Sequence, residues 1–103
     1  MAETHDDRVH GEQVVLDIGQ DVGALVLYTG EELRGREIEI SLKGNDAQRV
    51  HTAILERRVN GRVVFAGVYP ALPAGDYNIW GNGAQPTGDV MIVGGEVAEV
   101  DWR

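Results

Sequence analysis

The dipeptide Asn60-Gly61 lies between two runs rich in β-branched and apolar residues, Arg49 to Val59 and Arg62 to Tyr69. A two-residue type I′ turn needs positive φ at both central positions, which Asn and Gly tolerate, so the runs are expected to form a hairpin of fixed register. In that register Val59 faces Arg62, Arg57 faces Val64, Leu55 faces Ala66 and Ala53 faces Val68. His51, Ala53, Leu55, Val64, Ala66 and Val68 then share one face, and Val50, Thr52, Ile54, Val63, Phe65 and Tyr69 belong to the other. Both faces are largely apolar, so the hairpin is expected at the centre of a sheet with both sides covered.

The remaining sequence agrees with an all-β chain. Fourteen glycines punctuate short β-branched runs, and no amphipathic stretch is long enough for a stable helix. The nearest is Gly30 to Arg36, interrupted by Gly35. Further strands are expected over Gln13 to Ile18, Gly23 to Thr29, Arg36 to Leu42, Asp76 to Trp80, Asp89 to Val93 and Glu96 to Trp102. Arg36 to Leu42 alternates clearly, with Ile38, Ile40 and Leu42 on one side and Glu37, Glu39 and Ser41 on the other. Gly94-Gly95 reads as the turn of a second hairpin. The expected architecture is a two-layer antiparallel β-sandwich of seven or eight strands, immunoglobulin-like in the spacing of its strands and turns. Residues 1–11 read as a flexible acidic tail and 12–103 as one domain, which a chain of 103 residues can build around a single core.

Composition narrows the function. Without cysteine there is no disulfide, thiolate metal site or cysteine nucleophile. A formal net charge of −8 disfavours contact with phosphate backbones and anionic lipid surfaces, so no nucleic-acid partner is expected. No run approaches the roughly 20 apolar residues of a membrane span, and the polar start lacks the pattern of a signal peptide, so a cytoplasmic location is expected.

The segment "YPALPAGDYNIW", Tyr69 to Trp80, resembles the aromatic, two residues, Leu-Pro-x-Gly-x-Tyr element of prealbumin-like β-sandwiches such as carboxypeptidase regulatory domains and the B-type repeats of bacterial adhesins. Pro73 presets a turn, Gly75 relaxes it, and Tyr77 and Ile79 start the next strand on the core side. With "VVLDIGQDVGALVLYT" and the ending "VDWR", the chain is also similar to small single-domain actinobacterial proteins, some of which carry a phospholipase label. The resemblance implies a sandwich with a binding or accessory role. It does not extend to the intramolecular isopeptide bond of the adhesin repeats, because Lys43 sits in a turn and the last two strands contain no asparagine.

Candidate chemistry is sparse. Ser41, the only serine, is expected to face solvent on an alternating strand, without the strand-to-helix elbow of serine hydrolases. His51 is the one weak catalytic candidate, and Asp46 or Asp76 could orient it. His5 and His10, with Asp6, Asp7 and Glu12, are weak metal candidates, although no cofactor is expected. Asp17 and Asp21 lack the spacing of a calcium loop, and Glu31, Glu32, Glu37 and Glu39 form a wet face with no cleft implied. Trp80 and Asn82 are weak ligand-binding candidates, since an exposed indole can stack on a sugar; Tyr28 and Trp102 could extend that platform.

The reading these residues favour is a non-catalytic binding domain, expected to self-associate as a homodimer or to join a protein partner. The interface would be Leu55, Val64 and Val68, or else Ile54, Phe65 and Tyr69, according to which hairpin face is the core. The alternatives are a hydrolase acting on lipid or ester substrates through an unfamiliar site, and a carbohydrate-binding module.

Overall fold

The computed structural model of the chain describes residues 16, 18–81 and 85–103. Eight strands follow one another: β1 (Val22–Thr29), β2 (Glu37–Leu42), β3 (Val50–Ala53), β4 (Leu55–Val59), β5 (Arg62–Pro73), β6 (Gly75–Trp80), β7 (Gly88–Ile92) and β8 (Val97–Asp101). They form two four-stranded sheets, sheet I in the order β4-β5-β1-β8 and sheet II in the order β3-β2-β6-β7. The stretch Gly30 to Arg36, too short for a stable helix, supplies a 3-10 turn, Glu31–Leu33, between β1 and β2.

The Asn60-Gly61 turn is built as its residues require. Asn60 has φ 53° and Gly61 φ 78°, and Val59 pairs with Arg62, Arg57 with Val64 and Leu55 with Ala66. Beyond Leu55 the expected register ends. The run Arg49 to Val59 is two strands, because the chain crosses from sheet II to sheet I at Ile54. Ala53 therefore pairs with Glu37, and Val68 pairs with Val26. Ile54 is fully buried at the crossing, where its N–H donates to the Arg36 carbonyl at 2.9 Å and its carbonyl accepts from Gly35 N–H at 2.8 Å. Both backbone groups are thus paired outside any ladder, which makes a buried crossing tolerable.

A second crossing replaces the expected Gly94-Gly95 hairpin. β7 lies antiparallel to β6 in sheet II, whereas β8 lies parallel to β1 in sheet I. Gly94 is packed so closely that a Cβ there would collide with the Gln20 carbonyl. The glycine pair serves close approach of two chain segments as well as a turn. Of the run Gln13 to Ile18, only Leu16 and Ile18 are described and neither is in a strand; residues 1–11 lie outside the described residues.

Alternation along the strands builds the core from both sheets. Sheet I contributes Leu25, Leu27, Tyr69 and Leu72, sheet II contributes Ile38, Ile40, Tyr77, Ile79 and Ile92, and Ile54 joins them at the crossing. Tyr69 spans the two layers. Its hydroxyl donates to the Ile38 carbonyl at 2.6 Å, and burial pushes its pKa well above the ordinary phenol value. The Tyr77 hydroxyl donates to the Pro73 carbonyl at 2.7 Å, four residues upstream, in the manner of the tyrosine corner of Greek-key sandwiches. The second half of β5 extends past the end of β4 and carries Pro70 and Pro73, residues that suit a sheet edge because they have no N–H to offer.

Candidate functional site

The two outer faces of the sandwich differ in chemistry, and the candidate residues divide between them. On sheet II the outward positions are Glu37, Glu39, Ser41, His51, Ala53, Asp76, Asn78, Trp80, Asp89 and Met91, as cross-strand pairing requires. Trp80 is only 7% exposed although it points away from the core. The guanidinium of Arg49 lies 3.8 Å from its ring centroid, and Arg49 is held there by Glu39 at 3.1 Å and by the Asp46 carbonyl at 3.0 Å. Cation and indole attract through the ring quadrupole. The indole N–H donates to Ser41 Oγ at 2.9 Å, and Ser41 in turn donates to Asp46 Oδ1 at 2.8 Å. Asn78 Nδ2 reaches the same carboxylate oxygen at 3.2 Å. The β2-β3 connection is latched onto its own sheet.

This arrangement corrects two expectations. Ser41 is 1% exposed and sits beneath Trp80, so it does not face solvent. The exposed indole expected of a sugar platform is covered by Arg49. The physical reason is the same for both: the loop from Lys43 to Arg49 folds back over the outer face and supplies polar partners that alternation does not reveal.

His51 is exposed beside Glu37, with Nδ1 3.4 Å from Oε1 and both side chains more than half accessible. Asp46, one of its suggested partners, is committed to Ser41 and Asn78. Among the described residues no three histidines or acids converge on a possible metal position. His5, His10, Asp17 and Asn82 lie outside the described residues.

Sheet I has a different outer face. Leu55, Arg57 and Val59 on β4, Arg62, Val64, Ala66 and Val68 on β5, Ala24, Val26 and Tyr28 on β1, and Val97, Glu99 and Asp101 on β8 point outward. Val26, Tyr28, Val64 and Val68 are half-buried, whereas Val59 and Val97 at its margins are each 40% exposed. A shallow groove of about 140 Å³ runs over this face, walled by Val26, Tyr28, Val59, Val64 and Val68, with Leu16 at its side. Ile54 and Tyr69, by contrast, are buried and Phe65 packs against the core. The alternative interface of Ile54, Phe65 and Tyr69 is therefore corrected: those residues form the inner side of the hairpin.

Charge is unevenly placed around the groove. Arg57, 6% exposed, donates from Nε to the Ala66 carbonyl at 3.1 Å. At the opposite margin the Arg103 guanidinium lies 4.7 Å from the Tyr28 ring centroid and pairs with Asp101 at 2.9 Å. Those hydrogen bonds hold the Asp101 carboxyl down to about 2. Burial and the neighbouring Glu99 raise the Tyr28 pKa. A buried guanidinium on an outward position was not anticipated from the sequence. Its signal is the pattern Leu55-x-Arg57-x-Val59, which puts a cation in line with apolar residues on one strand face.

Comparison with known proteins finds no matching family model, curated protein or solved structure. Among the described residues no helix is long and apolar enough to cross a membrane.

Proposed function

We propose that the chain is a non-catalytic β-sandwich module that binds a second copy of itself through the outer face of sheet I. The observation that carries this reading is the apolar groove over Val26, Val59, Val64 and Val68 on a sheet face with aliphatic margins. Association would remove that surface from water, which drives most protein contacts.

A second copy fits because the face is self-complementary in charge. The exposed Arg62 lies toward its β4 side, and the exposed Glu99 lies on β8 at the opposite edge. A two-fold axis in the plane of contact that exchanges these edges brings Arg62 of one copy toward Glu99 of the other. The resemblance of Tyr69 to Trp80 to the prealbumin-like element would imply a binding role by analogy of fold alone. The hydrolase and carbohydrate readings have no comparable support, because Ser41 is engaged by Trp80 and Asp46 while Trp80 is covered by Arg49.

Light scattering over a dilution series tests the proposal. The wild-type chain should have twice the monomer mass at high concentration. Val68→Asp should remain folded and monomeric, and Val59→Lys at the exposed margin should weaken association with less risk to the fold. Met91→Asp, on sheet II, should leave it unchanged. A monomer at every concentration would overturn the reading.

A further inference from the structure

A separate cleft opens at the end of the sandwich where β2 begins and β8 ends. Its volume is about 480 Å³, and Leu33, Arg36, Ile38, Gly81, Thr87 and Trp102 line it. That is large enough for a small organic molecule. Ile38 is 1% exposed and belongs to the core, while Trp102 is half-buried against the same cluster. The cleft thus offers a rigid aliphatic surface and an aromatic one.

Its charged group is Arg36. Arg36 is exposed and makes no ion pair among the described residues. Its backbone is fixed on both sides, the N–H donating to the Leu33 carbonyl at 2.9 Å and the carbonyl accepting from Ile54 N–H at 2.9 Å. The Thr87 hydroxyl spends its proton on the Ile79 carbonyl at 3.3 Å. The chain contains 17 acidic residues, yet no Asp or Glu is among the described residues that line the cleft. Among the described residues that line the cleft Arg36 is the one charged group, so an anion seated there would meet a guanidinium.

We propose that this cleft binds a small carboxylate carried on a flat apolar body, with the carboxylate on Arg36 and the body between Ile38, Leu33 and Trp102. A guanidinium presents a planar fork that matches a carboxylate, and an indole face suits a flat apolar group. An inorganic anion would use the fork and leave the apolar walls unused. This site is separate from the outer face of sheet I and does not depend on self-association.

Benzoate is the probe, followed by amide chemical shifts in the intact chain. Saturable shifts should appear at residues 33, 36, 38, 87 and 102. Benzamide, of nearly the same shape but uncharged, should bind about tenfold more weakly, as should inorganic phosphate. Arg36→Gln, at an exposed position, should keep the fold and reduce benzoate affinity about tenfold while leaving benzamide unchanged. Trp102→Leu should weaken both organic probes. Equal affinity for benzoate and benzamide, phosphate binding as tight as benzoate, indifference to Arg36→Gln, or no saturable shifts would each overturn the proposal.

Discussion

The outer faces of the two four-stranded sheets solve the problem of an outward aromatic or aliphatic residue in different ways. On sheet II the indole of Trp80 is enclosed by the chain's own Arg49, Ser41 and Asp46. On sheet I the valines of β1, β4 and β5 are gathered around a groove, with partly accessible residues at its margins. An intramolecular latch converts outward apolar surface into folding stability. Apolar surface that stays partly accessible is what the proposed association would cover.

Substitutions on each sheet test this contrast. The largest effect is expected from Trp80→Ala, which empties the space under Arg49 and should cost about 3–5 kcal/mol in chemical denaturation. Its effect on association should be small. Association lost in proportion to stability would mean that sheet II shares the interface.

Ser41→Ala should cost about 1–3 kcal/mol, because the Trp80 N–H loses its acceptor and Asp46 loses a donor. Double-mutant cycles with Asp46→Ala should be non-additive, since both residues belong to one network. Additive losses would show that the latch does not act as a unit.

On sheet I, Gly61→Val should cost about 1–2 kcal/mol through its positive φ, and Gly61→Asn much less. Equal melting temperatures for the two variants would contradict the turn geometry.

The smallest effect concerns the β8 margin. The Asp101 carboxyl is held down to about 2, chiefly by the Arg103 side-chain hydrogen bond and then by the Arg103 backbone N–H. A folded-state pKa below the unfolded value means that the associated stability is present above the ordinary carboxylate range and is lost as pH falls through about 2. Carboxyl chemical shifts should titrate at that low midpoint, and Arg103→Ala should move the midpoint upward. No movement would remove Arg103 as the cause.

Much of the fold was legible because local chemistry and tertiary packing agree. Asn60-Gly61 specified a turn that is present, and Ile38, Ile40 and Leu42 alternated as the inner side of β2. The crossing at Ile54 was not legible, since a continuous β-branched run looks alike whether it stays in one sheet or bends into another. Nor was the parallel placement of β8, which depends on Gly94 meeting the Gln20 carbonyl. At the candidate sites, Val64 and Val68 were readable as one face of the hairpin, but which face turned inward required the position of the second sheet. The covering of Trp80 was invisible for a related reason: Arg49 and Asp46 act on it through the fold of a loop whose local sequence states only that it turns.

Isotope-filtered nuclear Overhauser measurements on a mixture of methyl-labelled and unlabelled chains test, without altering a residue, whether copies meet through the outer face of sheet I. Intermolecular contacts are expected from the methyl groups of Val26, Val59, Val64 and Val68, and none from Met91. Contacts from Met91 in place of the valines, or none at concentrations where light scattering gives a dimer, would contradict the account.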